Sequence, residues 1–246
     1  MLNEPTEDKL KTMKLYGMLG AWSEQRGQPQ YSELGFDERF GLLVEAEALE
    51  RENKRLKRML SEAKLKIKAA CVEGIDYPAK RRLDKAVIRQ LASCRWVAET
   101  QHIAISGATG TGKSYIACAL AHQACRKGYR AVYRRMPRLF HELRLARADG
   151  SYPRLLARMA RIQVIVIDDF GIAPLDDQDR QDLLELLDDR YDAGSVIISG
   201  QLPPDNWHDY IAEPTLADAI CDRVLHRAHK IELHGPSRRK DPPTQS

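Results

Sequence analysis

Ile103-Ala-Ile-Ser-Gly-Ala-Thr-Gly-Thr-Gly-Lys-Ser114 joins a short apolar run to a glycine-rich turn and the start of a helical pattern. Gly107, Gly112, Lys113 and Ser114 satisfy G-x-x-x-x-G-K-[ST], the spacing of a phosphate-binding loop or Walker A motif. The residue types follow from the task. Backbone N–H groups must close around phosphate oxygens, so glycines supply close approach and unusual dihedrals. The helix that follows offers unpaired N–H groups and its positive dipole end to an anion. The cradle is Gly107, Ala108, Thr109, Gly110, Thr111, Gly112, Lys113, Ser114 and Tyr115, with Lys113 reaching the β- and γ-phosphates and the Ser114 hydroxyl ligating Mg²⁺.

Outward from the loop, Ile103 to Ser106 reads as a buried strand. Ile116, Ala117, Leu120, Ala121 and Ala124 keep a helical period until Gly128 stops it. Strand-like runs at 103–106, 131–134, 164–167, 195–198 and 230–233 alternate with helical patterns at 114–127, 137–148, 178–191 and 215–227, and a short one near 154–161. Such alternation predicts an α/β fold, a parallel sheet with helices on both faces. Val164-Ile-Val-Ile-Asp-Asp169 is a continuous β-branched run ending in two carboxylates, and ligands gather at the carboxyl ends of parallel strands. Asp168 is therefore placed as the Walker B acid that holds Mg²⁺ through water, and Asp169 as the group that polarises the attacking water.

The chain's bulk properties limit the alternatives. Its 246 residues suggest one sizeable domain plus a smaller one, and its 43% hydrophobic content can build a core. The five cysteines form no C-x-x-C pair, and Cys118 and Cys125 read as small buried thiols of the post-loop helix. That usage suits a reducing cytoplasm. No apolar run approaches the ~18 residues of a membrane span, so no membrane partner is expected.

Residues 1–70 read as a helical N-terminal domain. Leu10, Met13, Tyr16 and Leu19 mark a first short amphipathic helix. A long one follows from Phe36 to about Ile67, on the order of 45 Å. Between Arg51 and Lys68 stand Arg51, Lys54, Arg55, Lys57, Arg58, Lys64, Lys66 and Lys68, against only Glu52 and Glu62. Such a run reads either as a solvated helix face or as a contact for the phosphates of duplex DNA, largely independent of sequence. Lys80, Arg81, Arg82, Lys85 and Arg89 continue the positive charge through the linker, which favours DNA. The remaining boundaries are a linker at 71–82, an ATPase domain at 83–240 and a disordered tail at 241–246.

The motifs taken together resemble the IstB-type transposition helper ATPases, relatives of the DnaC-type helicase loaders in the initiator group of AAA+ proteins. The carriers are Gly107 to Ser114, Ile167-Asp-Asp-Phe-Gly171, Gly194-Ser-Val-Ile-Ile198 with Trp207, Pro214 to Arg223, and Ala228-His-Lys-Ile231. The resemblance implies an AAA+ core with strand order 5-1-4-3-2, ATP and Mg²⁺ as cofactors, and ATP-dependent self-assembly on DNA in aid of a cognate transposase. By motif position it makes Gln201 the sensor at the end of the fourth strand. Arg223 becomes the arginine finger offered to a neighbouring subunit, and Arg239 a second γ-phosphate sensor. Asp169 stands where many such ATPases have Glu, and the shorter side chain implies slow hydrolysis. A helical lid cannot fit in the dozen or so residues after the last strand, at ~11 residues per helix.

Three rival readings differ in partner or chemistry. One is a helicase loader with the same core. Another is a small-molecule P-loop kinase, with Arg144, Arg147, Arg154, Arg158 and Arg161 as its closing groups. The last is a DNA-binding module in which the nucleotide site is only structural.

Overall fold

The computed structural model describes residues 3–237. The chain divides into two compact units, Met1–Arg58 and Met59–Ser246.

The first unit is helical: α1 (Asn3–Thr12), α2 (Tyr16–Gly27) and most of α3 (Phe36–Ala63), inside which the unit boundary falls. The single first helix expected across Leu10–Leu19 is two. Lys14 takes a left-handed φ of 59°, and Leu15 N–H donates to Leu10 O at 2.8 Å, the hydrogen-bond pattern of a helix C-cap. The new start at Tyr16 is held by a residue far away in sequence. Buried Glu47 of α3 accepts from the N–H groups of Gly17 and Met18 at 2.8 and 3.2 Å, placing a carboxylate at the positive end of α2. The Arg51 guanidinium and these two N–H groups hold the Glu47 carboxyl below its ordinary range, against the opposing effect of burial. Gly17 is required there, because a Cβ would fall 2.7 Å from the Glu47 Cα.

α3 stops at Ala63 rather than near Ile67, where Lys64 turns left-handed at φ 49°. The hydrophobic spacing continues past the end because Leu65 and Ala70 are still buried, now from irregular chain.

The second unit continues through α4 (Lys85–Ala92), the one-turn α5 (Arg95–Ala98) and then the alternating core. Its strands are β1 (His102–Gly107), β2 (Ala131–Arg135), β3 (Val164–Phe170), β4 (Ser195–Gly200) and β5 (Ala228–Leu233). All pairings are parallel and the order is β2-β3-β4-β1-β5, the expected 5-1-4-3-2 read from the other edge. The crossovers are α6 (Lys113–Arg126), α7 (Met136–Ala148) with α8 (Tyr152–Ala160), α9 (Asp177–Asp188), and α10 (Trp207–Ile211) with α11 (Pro214–Leu225).

Side-chain alternation sorts the layers. Ile165, Ile167, Val196 and Ile198 pack with α7 to α11 in one cluster. Ile103, Ile105, Val164, Val166 and Ile197 are buried in turn, and α6 crosses the strands with its run Ala117-Cys-Ala-Leu-Ala121 wholly buried. Small residues let that helix lie close to the sheet, so the P-loop's helix is fixed along its length. Among the described residues no helix follows β5, and none is long and apolar enough to cross a membrane.

Two buried polar side chains close the end of the sheet away from the loop. Arg190, 1% exposed, donates to the carbonyls of Met159, Gln163 and Ser195 at 2.9, 3.2 and 2.9 Å. His102 opens β1, and its Nδ1 accepts from Val196 N–H at 3.1 Å. Burial first, and the Arg190 charge second, push the His102 imidazole down to about 4. The unfolded chain therefore takes up a proton at His102 between roughly pH 6.5 and 4 that the folded chain refuses, and stability falls with pH across that window. From pH 7 to pH 5 this site should cost about 2 kcal/mol, read as a lower urea midpoint. His102→Gln, which keeps an acceptor for Val196, should lack that part of the pH dependence.

Candidate functional site

The carboxyl ends of β1, β3 and β4 converge on a cavity of about 560 Å³ lined by the P-loop, Asp168, Asp169, Gly200 and Gln201. The loop leaves β1 at Gly107 and enters α6 at Lys113. Gly110 and Gly112 sit at φ 85° and 95°, where a side chain would be strained. Behind Gly112 lies the buried Arg81 guanidinium, 2.5 Å from where a Cβ would stand. Thr111 Oγ donates to Ala108 O at 2.8 Å, and Lys113 Nζ lies 2.7 and 2.8 Å from the carbonyls of Gly107 and Ala108.

Asp168 is the centre of the site. It is 1% exposed and accepts from four side chains: Ser199 Oγ at 2.5 Å on Oδ1, and on Oδ2 Tyr133 OH at 2.5 Å, Ser114 Oγ at 2.7 Å and Lys66 Nζ at 3.3 Å. Burial alone would raise its pKa. The three hydroxyls and the Lys66 charge outweigh burial, and the carboxyl is held below its ordinary value. The same geometry pushes the Tyr133 phenol well up, burial first and the Asp168 hydrogen bond second. A charged carboxylate and a hydroxyl in contact are hard oxygen donors suited to Mg²⁺, so Ser114 and Asp168 fit the ion expected for them.

Asp169 occupies a bulge where the β3–β4 register shifts, at φ 63°, and its Oδ2 accepts from Arg135 Nε at 2.5 Å. The left-handed backbone turns this second acid into the cavity, where successive residues of a regular strand would face opposite sides. Gln201 lines the cavity just past β4, and Tyr115 also borders it.

Most of the other expected residues lie elsewhere. Arg223, in α11, is ion-paired to Asp188 and donates to Ala219 O at 2.9 Å. It is not among the residues lining this chain's own cavity. Arg239 lies outside the described residues. Of the basic run, Arg51 pairs with Glu47 at 2.7 Å and Lys54 with Glu50 at 2.9 Å. Arg55, Lys57 and Arg58 are exposed on α3, and Lys68 is exposed beyond it. Lys64 borders a groove shared with Arg134, Arg154 and Arg158. Lys66 is in the nucleotide cavity. The arginines of the kinase reading are partly committed: Arg144 pairs with Asp179 at 2.5 Å, and Arg147 with buried Asp182 at 2.5 Å. They brace α7 against α9 rather than close over phosphate.

Four side chains in the site were not read from the sequence. Ser199 and Arg135 both pair in register with Asp168 on the neighbouring strands, and Tyr133 is two residues before Arg135. A polar residue at the carboxyl end of an otherwise apolar strand was the available signal. Lys66 gave none, since it comes from irregular chain far upstream.

With this geometry in place, similarity to known proteins is decisive. Residues 8–246 match the family of IstB-like ATP binding proteins. The chain belongs to this family. It is 45% identical to an insertion sequence ATP-binding protein of Sinorhizobium fredii over 241 residues, 98% of each chain. It is also 44% identical to the ATP-binding protein of insertion sequence IS1162 from Pseudomonas fluorescens, over 82% of this chain and 88% of that one. Among solved structures, the DnaC helicase loader superposes with a TM-score of 0.56 at 19% identity, covering 67% of this chain and 96% of that one. AMPPCP-bound DnaA from Aquifex aeolicus gives 0.57 at 15% identity, over 68% and 50%. These two share the fold of the parallel-sheet core, the AAA+ arrangement.

The Asp168 cluster makes a measurable demand on stability. Tyr133→Phe and Ser199→Ala should each destabilise the IstB-family chain by about 1–2 kcal/mol in urea titration. Because both donors serve one carboxylate, the double variant should depart from the sum of the single losses.

Proposed function

We propose that this protein is an ATP-dependent, DNA-binding regulator that assembles on duplex DNA and assists the transposase of its insertion sequence in target selection or activation. The observation that carries the reading is the contact of Ser114 with the buried, charged Asp168 beside the P-loop, in a chain whose relatives are named as insertion sequence ATP-binding proteins. The likeness to helicase loaders is one of fold.

In this reading the loop N–H groups and Lys113 grip the β- and γ-phosphates, exchanging the Gly107 and Ala108 carbonyls for phosphate oxygens. Ser114 and Asp168 would hold Mg²⁺, which would neutralise charge on the phosphates. Asp169 orients the attacking water, and its pairing with Arg135 fixes the carboxylate's direction. Gln201 contacts the terminal phosphate or that water. Arg223 exchanges Asp188 for the γ-phosphate of an adjacent subunit, so hydrolysis is slow until subunits assemble. ATP favours assembly to the extent that the assembled state binds it more tightly, and hydrolysis reverses the shift. The exposed basic residues of α3 meet DNA phosphates.

Sedimentation with duplex DNA tests the whole. With ATP the protein should form large complexes that ADP does not support and that weaken steeply as salt rises. Lys113→Ala should abolish them. A protein that stays monomeric under every nucleotide condition would contradict the reading.

The division of labour between subunits is tested by mixing. Arg223→Ala and Lys113→Ala should each lose about 10²-fold or more of DNA-stimulated turnover. Mixed together they should regain part of it, since one supplies intact nucleotide sites and the other intact fingers. Asp169→Glu should hydrolyse faster than wild type in single turnover.

A further inference from the structure

Lys66 belongs to the basic run that was read as facing DNA, yet its side chain lies in the cavity with its Nζ 3.3 Å from Asp168 Oδ2 and 3.4 Å from Ser114 Oγ. Those are the two oxygens suited to a divalent cation. The backbone beside it is fastened, because Leu65 and Ala70 are buried on either side of it and Ile67 is half-buried. The part of Lys66 able to turn is therefore its long side chain.

We infer that Lys66 is a ligand-contacting residue of the nucleotide site, recognising the terminal phosphate of a bound nucleoside triphosphate. The inference rests on the reading that this site takes ATP with a divalent cation. A dication held by Ser114 and Asp168 repels an ammonium placed on the same two oxygens. The Lys66 head group then turns within the cavity. The strongest anion there is the outermost phosphate, which carries the largest single share of the nucleotide's charge, and Lys113 lines the same cavity. A diphosphate lacks that group and leaves no anion at the position Lys66 turns to. Lys66 thus discriminates triphosphate from diphosphate, and it does so from the segment that directly follows the basic helix α3.

The test is equilibrium binding of fluorescent ATP and ADP analogues, with Mg²⁺, to the full chain and to Lys66→Met, Lys66→Arg and Lys68→Met. Lys66→Met should bind the ATP analogue about tenfold more weakly, the loss of one charge-assisted contact, and the ADP analogue within about twofold of wild type. Lys66→Arg should restore most of the preference, and Lys68→Met, whose side chain is outside the cavity lining, should bind both analogues as wild type does. Nucleotide-free binding of Lys66→Met to duplex DNA should be unchanged. Equal weakening of both analogues would overturn the inference by making Lys66 structural, and no weakening of either would overturn it by making Lys66 a bystander. Lost DNA affinity with nucleotide binding intact would return Lys66 to the DNA face. Failure of the wild type to bind either analogue would overturn the nucleotide reading itself, and the inference with it.

Discussion

A single buried carboxylate organises the second unit. Asp168 is nearly inaccessible to water, yet it stays ionised because the Ser199, Tyr133 and Ser114 hydroxyls and the Lys66 ammonium replace the solvent it has lost. These donors come from β4, β2, the P-loop helix and the chain after α3. No one of the elements could shift without leaving part of a buried charge unpaired, at a cost comparable to several ordinary contacts. The register of β2, β3 and β4 at their carboxyl ends is thus tied to the chemistry of the site, and Ser114 links the P-loop to the same point.

The cavity's remaining charges are held in a different way. Lys113 rests on two neutral carbonyls of its own loop, which are weaker acceptors than an anion. Arg135 is paired with Asp169 but 46% exposed at its side chain, so water screens the pair. In both cases the cation has a defined position at the cavity. Positive charge is thus already gathered where a polyanion would enter. Asp168, by contrast, is held firmly and suits a fixed ligand.

Those two regimes explain what could be read from sequence. The P-loop and the acid ending β3 were legible because backbone geometry dictates them. Glycine at Gly110 and Gly112 answers a positive φ, and an unbroken Val164-Ile-Val-Ile167 run answers burial on both faces. Strand order followed from family resemblance, and element edges fell within a few residues because Gly128 and the strand-end acids mark them. The partners of Asp168 were not legible, since Tyr133 and Ser199 matter through cross-strand register that no local pattern encodes. The same holds for Glu47, which starts α2 across a sequence gap, and for Lys14, whose left-handed turn divides an apparently continuous helical period. Lys66 is the sharpest case. Composition groups it with a basic helix face, while the turn at Lys64 ends that helix and Lys66 lies beside Asp168 in the cavity.

The Arg223–Asp188 pair bears on how assembly could be made conditional in the proposed function. Both side chains are partly exposed, at 29% and 45%, so the pair is worth at most about 1 kcal/mol. That is enough to give the guanidinium a resting direction along α11 and too little to withhold it from a stronger anion. A terminal phosphate offers greater charge and a pair of oxygens that the planar guanidinium meets bidentately, which a Lys ammonium cannot do. The exchange favours the phosphate only where a neighbour presents it, and a diphosphate presents less. A weak internal pair is therefore a sufficient device for making subunit contact depend on nucleotide state, without any larger rearrangement of α9 against α11.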